Sequence, residues 1–233
     1  MKEIEEEGER LLTSSGWTEL PCKEPGMALS WKRIAGSPLI MVRCTSRYDA
    51  VDADSLFHFM GTPKGFEIID PDTKNHQEST VATFTRQHCE VTLDHSKVEI
   101  KGLNPRQFQT LNIRNSRTRI FCSKSVSSPL VTMCKRRINC YTTYVLKTSP
   151  LPGPGGAHTL LEQVSWVDMG GSFPACLLNK FNKELFFQAI HTRLKAHLKE
   201  NTLAQPSIPS STLLSSNRVD ASSGNERPSL LQC

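Results

Sequence analysis

Apolar positions recur along this chain in two rhythms, and the points where one gives way to the other outline its elements. Between residues 3 and 14, Ile4, Leu11 and Leu12 share a stripe among charged residues, which predicts a short amphipathic helix stopped by Thr13-Ser14-Ser15-Gly16. The rhythm then turns to strand alternation. Residues 17–20, 27–34 and 38–46 predict three strands, with Pro25-Gly26 as the turn between the first two, and together they read as an antiparallel meander. Asp52 or Asp54 opens a short helix over 55–60, ended by Gly61 and Pro63. Short strands separated by polar turns are expected at 66–69, 80–84, 89–93, 98–100, 111–113, 119–123 and 138–146. A Pro- and Gly-rich turn over 150–156 leads to a last strand over 160–167.

The C-terminal part is the most informative. Asp168-Met169-Gly170-Gly171 makes a turn, Ser172 can cap a helix, and Pro174 suits its first turn. A long helix over 174–199 follows. Leu178, Phe181, Leu185 and Ala189 form one stripe on it, and Phe186, Ile190 and Leu194 an adjacent one. So wide an apolar arc fits a helix that packs on a sheet, and equally one that touches both a sheet and a ligand. Residues 200–233 are rich in Ser, Pro, Asn and Leu without period and read as a disordered tail. The expected organisation is a short acidic helix over 1–13, one domain over 14–199, and the tail. Runs of strands flanked by helices argue an α+β fold with an antiparallel sheet.

Composition narrows the function classes. The net charge of +5 permits approach to an anionic membrane but is not the dense basic footprint of a nucleic-acid binder. The eight cysteines are scattered without a CxxC pair, and the chain opens on an acidic run rather than a leader peptide, so free thiols and a cytoplasmic location are expected. No apolar run approaches the roughly 18 residues of a membrane span. No G-x-S-x-G, H-E-x-x-H or P-loop spacing is present, and His191 and His197 do not share a helix face. No catalytic residue, metal or cofactor is therefore nominated. The basic run Lys135-Arg136-Arg137 beside Met133 reads either as a solvated loop or as a contact for anionic lipid heads.

Four segments in order resemble the START (StAR-related lipid transfer) domain family. They are Ser15-Gly16-Trp17 with the following strand at 27–32; the strand at 39–44 leading to the helix at 54–60; Leu103-Asn104-Pro105-Arg106-Gln107-Phe108; and the strand, Gly-Gly turn and Pro-started helix around 168–181. The resemblance implies a helix-grip fold of the START/Bet v 1 kind, a curved antiparallel sheet wrapped around a long C-terminal helix. It also implies intracellular binding and transfer of one lipid, a phospholipid or a sterol, in an apolar cavity gated by that helix. Transient membrane contact and a monomer are expected with it. The sequence departs from the family at the polar cavity positions: Asn112 stands where an Arg is common, Arg114 shares its strand face, and Glu90 is the nearest acid upstream of the expected acidic partner. The residues expected to contact lipid are Asn112, Arg114 and Glu90 at the head group, with Trp166, Met169, Leu178, Phe181 and Leu185 along the apolar part. Trp166 and Met169 can also be simple core residues. An enzyme on the same scaffold, or a protein-interaction or lipid-sensing module, are the other classes; the contents of the interior distinguish them.

Overall fold

The structure, a computed structural model, describes residues 2–69, 76–99, 104–153 and 157–204, except for the side chains of 76–78 and 201–204. Strand alternation does most of the building. In β3 (Ile40–Asp49) every second residue, Ile40, Val42, Cys44, Ser46 and Tyr48, is buried on one face. β3 pairs antiparallel with β2 (Met27–Arg33) on one side and with β10 (His158–Asp168) on the other. With β1 (Thr18–Leu20), β4 (His76–Arg86), β5 (Cys89–Val98), β6 (Arg106–Asn115), β7 (Ile120–Ser125) and β9 (Tyr141–Leu151), the sheet runs in the order β1-β2-β3-β10-β9-β7-β6-β5-β4. The two-residue β8 (Ile138–Asn139) lies off that path, parallel to β6.

Helices cover both faces of this sheet. On the outside, α1 (Lys2–Thr13) sets Leu12 against Ile120, Cys122, Val145 and Val164. Gly8 is required there, since a Cβ would stand 2.4 Å from the Cys122 sulfur. Glu7 and Glu9 on α1 pair with Lys124 (2.7 Å) and Lys147 (3.0 Å) on the strands beneath. On the inside lie α2 (Ala53–Met60), α3 (Pro63–Ile69) and the C-terminal helix, which is continuous but not uniform. It consists of α4 (Ala175–Phe181), a π-helical turn (Asn182–Phe186) and α5 (Phe187–Ala204). Phe187 and Ile190 pack on Met27, Leu29, Ile40, Val42 and Cys44, and Leu194 packs among Leu56, Phe57, Leu146 and Leu161. The expected α+β architecture, a large antiparallel sheet gripping the C-terminal helix, is the one observed. No helix among the described residues is long and apolar enough to cross a membrane.

Several local expectations are corrected. Residues 66–69 are not a strand but the end of α3, because Thr62 and Pro63 form a helix start: the Thr62 hydroxyl accepts from the Gly65 N–H at 3.1 Å. The segments 89–93 and 98–100 are not two strands split by a polar turn. β5 runs unbroken through Asp94 and Ser96 to Val98, and residue 100 lies outside the described residues. Residues 138–146 divide at Cys140, whose N–H donates to the Gln107 carbonyl (2.9 Å) before the chain enters β9. Asp52, not Asp54, caps α2, accepting from the Ser55 N–H at 2.8 Å. Ser172 does not cap the last helix; Pro174 occupies that position without a side-chain bond. That helix continues past 199 to Ala204, and the tail expected beyond it lies outside the described residues, as do Leu103 of the third START-like segment and residues 154–156 of the Pro/Gly turn.

One buried polar contact ties the C-terminal helix to the sheet. His191, only 1% exposed, meets the Tyr48 hydroxyl through Nδ1 at 2.9 Å. Burial first, and then the nearby Lys195 charge, lower its pKa from the ordinary 6.5, against a smaller upward pull from Glu24. The folded state thus favours the neutral ring. This contribution is complete above the unfolded value of about 6.5 and is lost as pH falls below it towards the folded value. Urea-unfolding stability is expected to fall as pH drops below about 6.5, with a shallower slope in His191→Gln. An identical slope in the variant contradicts this role.

Candidate ligand cavity

The C-terminal helix fills only part of the space the sheet encloses. Between its first half and strands β5, β6, β7 and β9 lies a hollow of about 990 Å³, closed at one end by α3. Alternation aims every second side chain of the wall strands into it: Glu90, Thr92, Asp94 and Ser96 on β5, and Phe108, Thr110, Asn112 and Arg114 on β6. Facing this mostly polar wall are Phe66 and Ile69 on α3, Phe121 and Tyr144 on β7 and β9, and Phe181, Leu185, Phe186 and Ala189 on the helix. Phe181 and Leu185 are 48% and 58% exposed, so large apolar side chains stand at an opening. The hollow is amphipathic rather than uniformly greasy.

Thr92 and Asn112 sit directly opposite each other in the β5–β6 ladder. The Asn112 amide donates to Asp94 Oδ2 and to Thr92 Oγ1 (3.3 Å), and the Thr92 hydroxyl donates to the same Asp94 oxygen at 3.1 Å. Asp94 Oδ1 is buried and accepts no hydrogen bond. Arg114 lies opposite Glu90, but its guanidinium turns to the end of α2. Nη2 donates to the Phe57 and His58 carbonyls (3.0 and 3.2 Å), and the group lies 5.0 Å over the Phe57 ring. Burial lowers its pKa and Glu90 partly opposes that. Arg193 does the same at α3, donating to the Ile68 and Ile69 carbonyls at 2.8 and 3.3 Å. Both arginines neutralise the negative ends of helices. The Tyr144 hydroxyl accepts from Gln163 at 2.6 Å, and burial pushes its pKa up.

The helix beside the hollow is held at separate points. Asn179 on α4 accepts from the Ile40 N–H (3.1 Å) and donates to the Pro38 carbonyl (3.0 Å). Arg193 and His191 secure α5, and the π-helical turn lies between these anchors. A π turn loosens the regular ladder, and such turns recur at functional sites.

Of the residues expected at a lipid site, Glu90, Asn112, Arg114, Phe181 and Leu185 lie on the cavity wall. Trp166, Met169 and Leu178 do not. On β10, Ser165 and Val167 face the cavity, so Trp166 between them faces away. Met169 serves through its carbonyl, which accepts from Arg106 Nε (3.1 Å) and Cys140 Sγ (3.0 Å). Leu178 is buried apart from the wall. The expected acid, Glu90, faces the hollow, yet Asp94 is the one bonded to Asn112. Its parity with Glu90 and Thr92 would have revealed it had β5 been read as one strand.

No known family profile matches this chain, and no curated protein matches it. Solved structures do. Human STARD10 superposes with a TM-score of 0.63 at 18% identity over 89% of this chain and 83% of that one. Human StAR-related lipid transfer protein 5 gives 0.61 at 14% identity over 84% and 95%. The lipid transfer and protein localization domain of human StarD13 gives 0.53 at 16% identity over 82% and 92%.

Gly61 links the cavity to α2: a Cβ there would lie 1.6 Å from Arg114 Nη1. Gly61→Ala should displace the guanidinium from the α2 carbonyls and destabilise by about 1–3 kcal/mol in denaturant unfolding, and by clearly less in an Arg114→Ala background. Equal costs in both backgrounds would show that the two residues do not act together. These superpositions, together with the large antiparallel sheet clasping the C-terminal helix, show that the chain has the fold of the START domain.

Proposed function

We propose that this protein binds one lipid in the hollow beneath its C-terminal helix and carries it between membranes. The observation that supports this most is the hollow itself, in a fold shared with human StAR-related lipid transfer protein 5. At about 24 cal/mol per Å³, a dry void of about 990 Å³ would cost about 24 kcal/mol, beyond the roughly 5–15 kcal/mol that holds a domain folded. The space therefore holds water or a guest, and a guest that also covers Phe181 and Leu185 gains their burial. Binding then stabilises the fold by mass action.

The gate in this reading is the segment from α4 through the π-helical turn. It carries Phe181, Leu185 and Phe186 at the opening, between the Asn179 anchor and the α5 anchors. The exposed Leu130, Lys135 and Arg136 belong to one loop, where apolar and basic groups together favour transient contact with an anionic membrane surface. Carriage of a single guest by a monomer needs no covalent step, so no catalytic residue is assigned.

Native mass spectrometry of the purified protein should show a one-to-one lipid adduct. Ala189→Trp, which projects an indole into the hollow, should weaken the adduct without lowering the melting temperature. An adduct retained in full by that variant would place the lipid elsewhere. Phe181→Asp, at a half-exposed site, should leave the melting temperature nearly unchanged while slowing lipid exchange between vesicles by about tenfold, the effect of about 1.4 kcal/mol at the gate. Exchange at the normal rate would show that this segment is not the gate.

A further inference from the structure

The polar groups of the cavity wall fall in a band across the sheet, not at one end of the hollow. Thr92 stands opposite Asn112, Asn112 opposite Ser123, Ser123 opposite Tyr144 and Tyr144 opposite Ser165, each on the next strand, so the row crosses four strand spacings, about 19 Å. Thr110 lies beside it, two residues before Asn112 on β6. Carbon borders the band on both sides. Towards α2 and α3 come Phe121, Phe66 and Ile69, and towards the other end of the strands come Phe108, Val98 and Val167. Charges of both signs share the wall, Glu90 and Asp94 beside Arg114 and Arg193, so no single charge marks an end. The open groups of the band are neutral. Among the described residues nothing bonds to the hydroxyls of Thr110, Ser123 and Ser165, yet none of these hydroxyls is shut off from the hollow. The Tyr144 hydroxyl accepts from Gln163 and donates to no described residue.

We infer that the guest is a rigid, neutral carbon body with hydroxyls along one flank at mid-length, not an amphiphile with a polar head and a bare chain. This rests on the reading of the hollow as a lipid site and names the shape and chemistry of the guest. A bare chain laid across the band strips water from the open hydroxyls and gives nothing back, and each polar group buried in that way is costly. A guest hydroxyl at mid-body both donates and accepts, so it replaces that water whichever way the protein hydroxyls turn. The other flank of the guest meets Leu185, Phe186 and Ala189 on the C-terminal helix, where carbon gains burial. The carbon on either side of the band receives the two ends of the body. A ring system meets these demands because its polar and apolar flanks stay apart with little freedom lost on binding.

Equilibrium dialysis with two neutral steroid esters tests this. Methyl lithocholate carries one hydroxyl, at the end of its ring system. Methyl cholate has the same skeleton with two more hydroxyls on the same face of the middle rings. Methyl cholate is expected to bind at least about fivefold tighter, the yield of about one added hydrogen bond. Thr110→Val, Ser123→Ala and Ser165→Ala combined remove the open hydroxyls and should cut that gap to about twofold or less, while methyl lithocholate binds as before or tighter. Ser123→Ala alone should narrow the gap, and gives the readout if the triple variant does not fold. Equal affinity for the two esters, or a gap unchanged in every variant that folds, overturns the inference. If neither ester binds but native mass spectrometry shows a lipid adduct, the inference falls and the lipid-site reading stands. With no adduct and no ester bound, both fall.

Discussion

The C-terminal helix packs tightly against only one half of the sheet, and the rest of the molecule follows from that. Phe187, Ile190 and Leu194 are buried against β2, β3, α2 and the middle of the sheet. The turn and a half before them rests on that surface only along one face, through Phe186 and Lys183, and on the other face looks across the hollow to β5 and β6, which present hydroxyls, an amide and charges instead of branched apolar side chains. A helix cannot close down on that wall without burying polar groups away from water. The hollow is thus maintained from both sides: by firm packing at one end of the helix and by polar side chains that resist collapse at the other.

The anchors of the helix follow the same division. α5 is fixed by apolar burial, by His191 on Tyr48 and by Arg193 on the end of α3. α4 depends on Asn179, whose two bonds reach the backbone at the start of β3. The π-helical turn lies between α5 and the segment held by Asn179 and the buried Leu178. The arginines complete the picture. By binding carbonyls at the ends of α2 and α3 they hold the inner helices in place, while their charge stays on the cavity wall beside Glu90 and Asp94.

The fold was legible in the chain to a large degree. The alternation of β3, the Gly-Gly turn before the last helix, and that helix's wide apolar arc are local patterns that point to an antiparallel sheet followed by a packed helix, and the resemblance to the START family implied their helix-grip arrangement. Errors came where a local signal had two meanings. Phe66 to Ile69 is apolar enough for a strand, yet Thr62 and Pro63 start a helix there. Asp94-His95-Ser96 has the composition of a turn, but in β5 those residues alternate between the cavity and the other face of the sheet. Ser172 is a good cap by type but lies outside the helix that begins after Pro174.

The sequence by itself determined the periodicities, and hence the order of strands and helices and which apolar residues could share a face. The resemblance to the START family placed Asn112 and Glu90 at candidate polar positions, and strand parity, a local property, put Arg114 on the face of Asn112. Only the tertiary structure decided what those groups face. Whether Arg114 meets a guest or the carbonyls of Phe57 and His58, and whether Asp94 has a counter-charge, depend on distances between residues far apart in the chain. Trp166 and Ser165 are neighbours in sequence, yet the register of β10 sends them to opposite sides of the sheet. Burial and pairing are properties of packed surfaces, and no run of residues carries them alone.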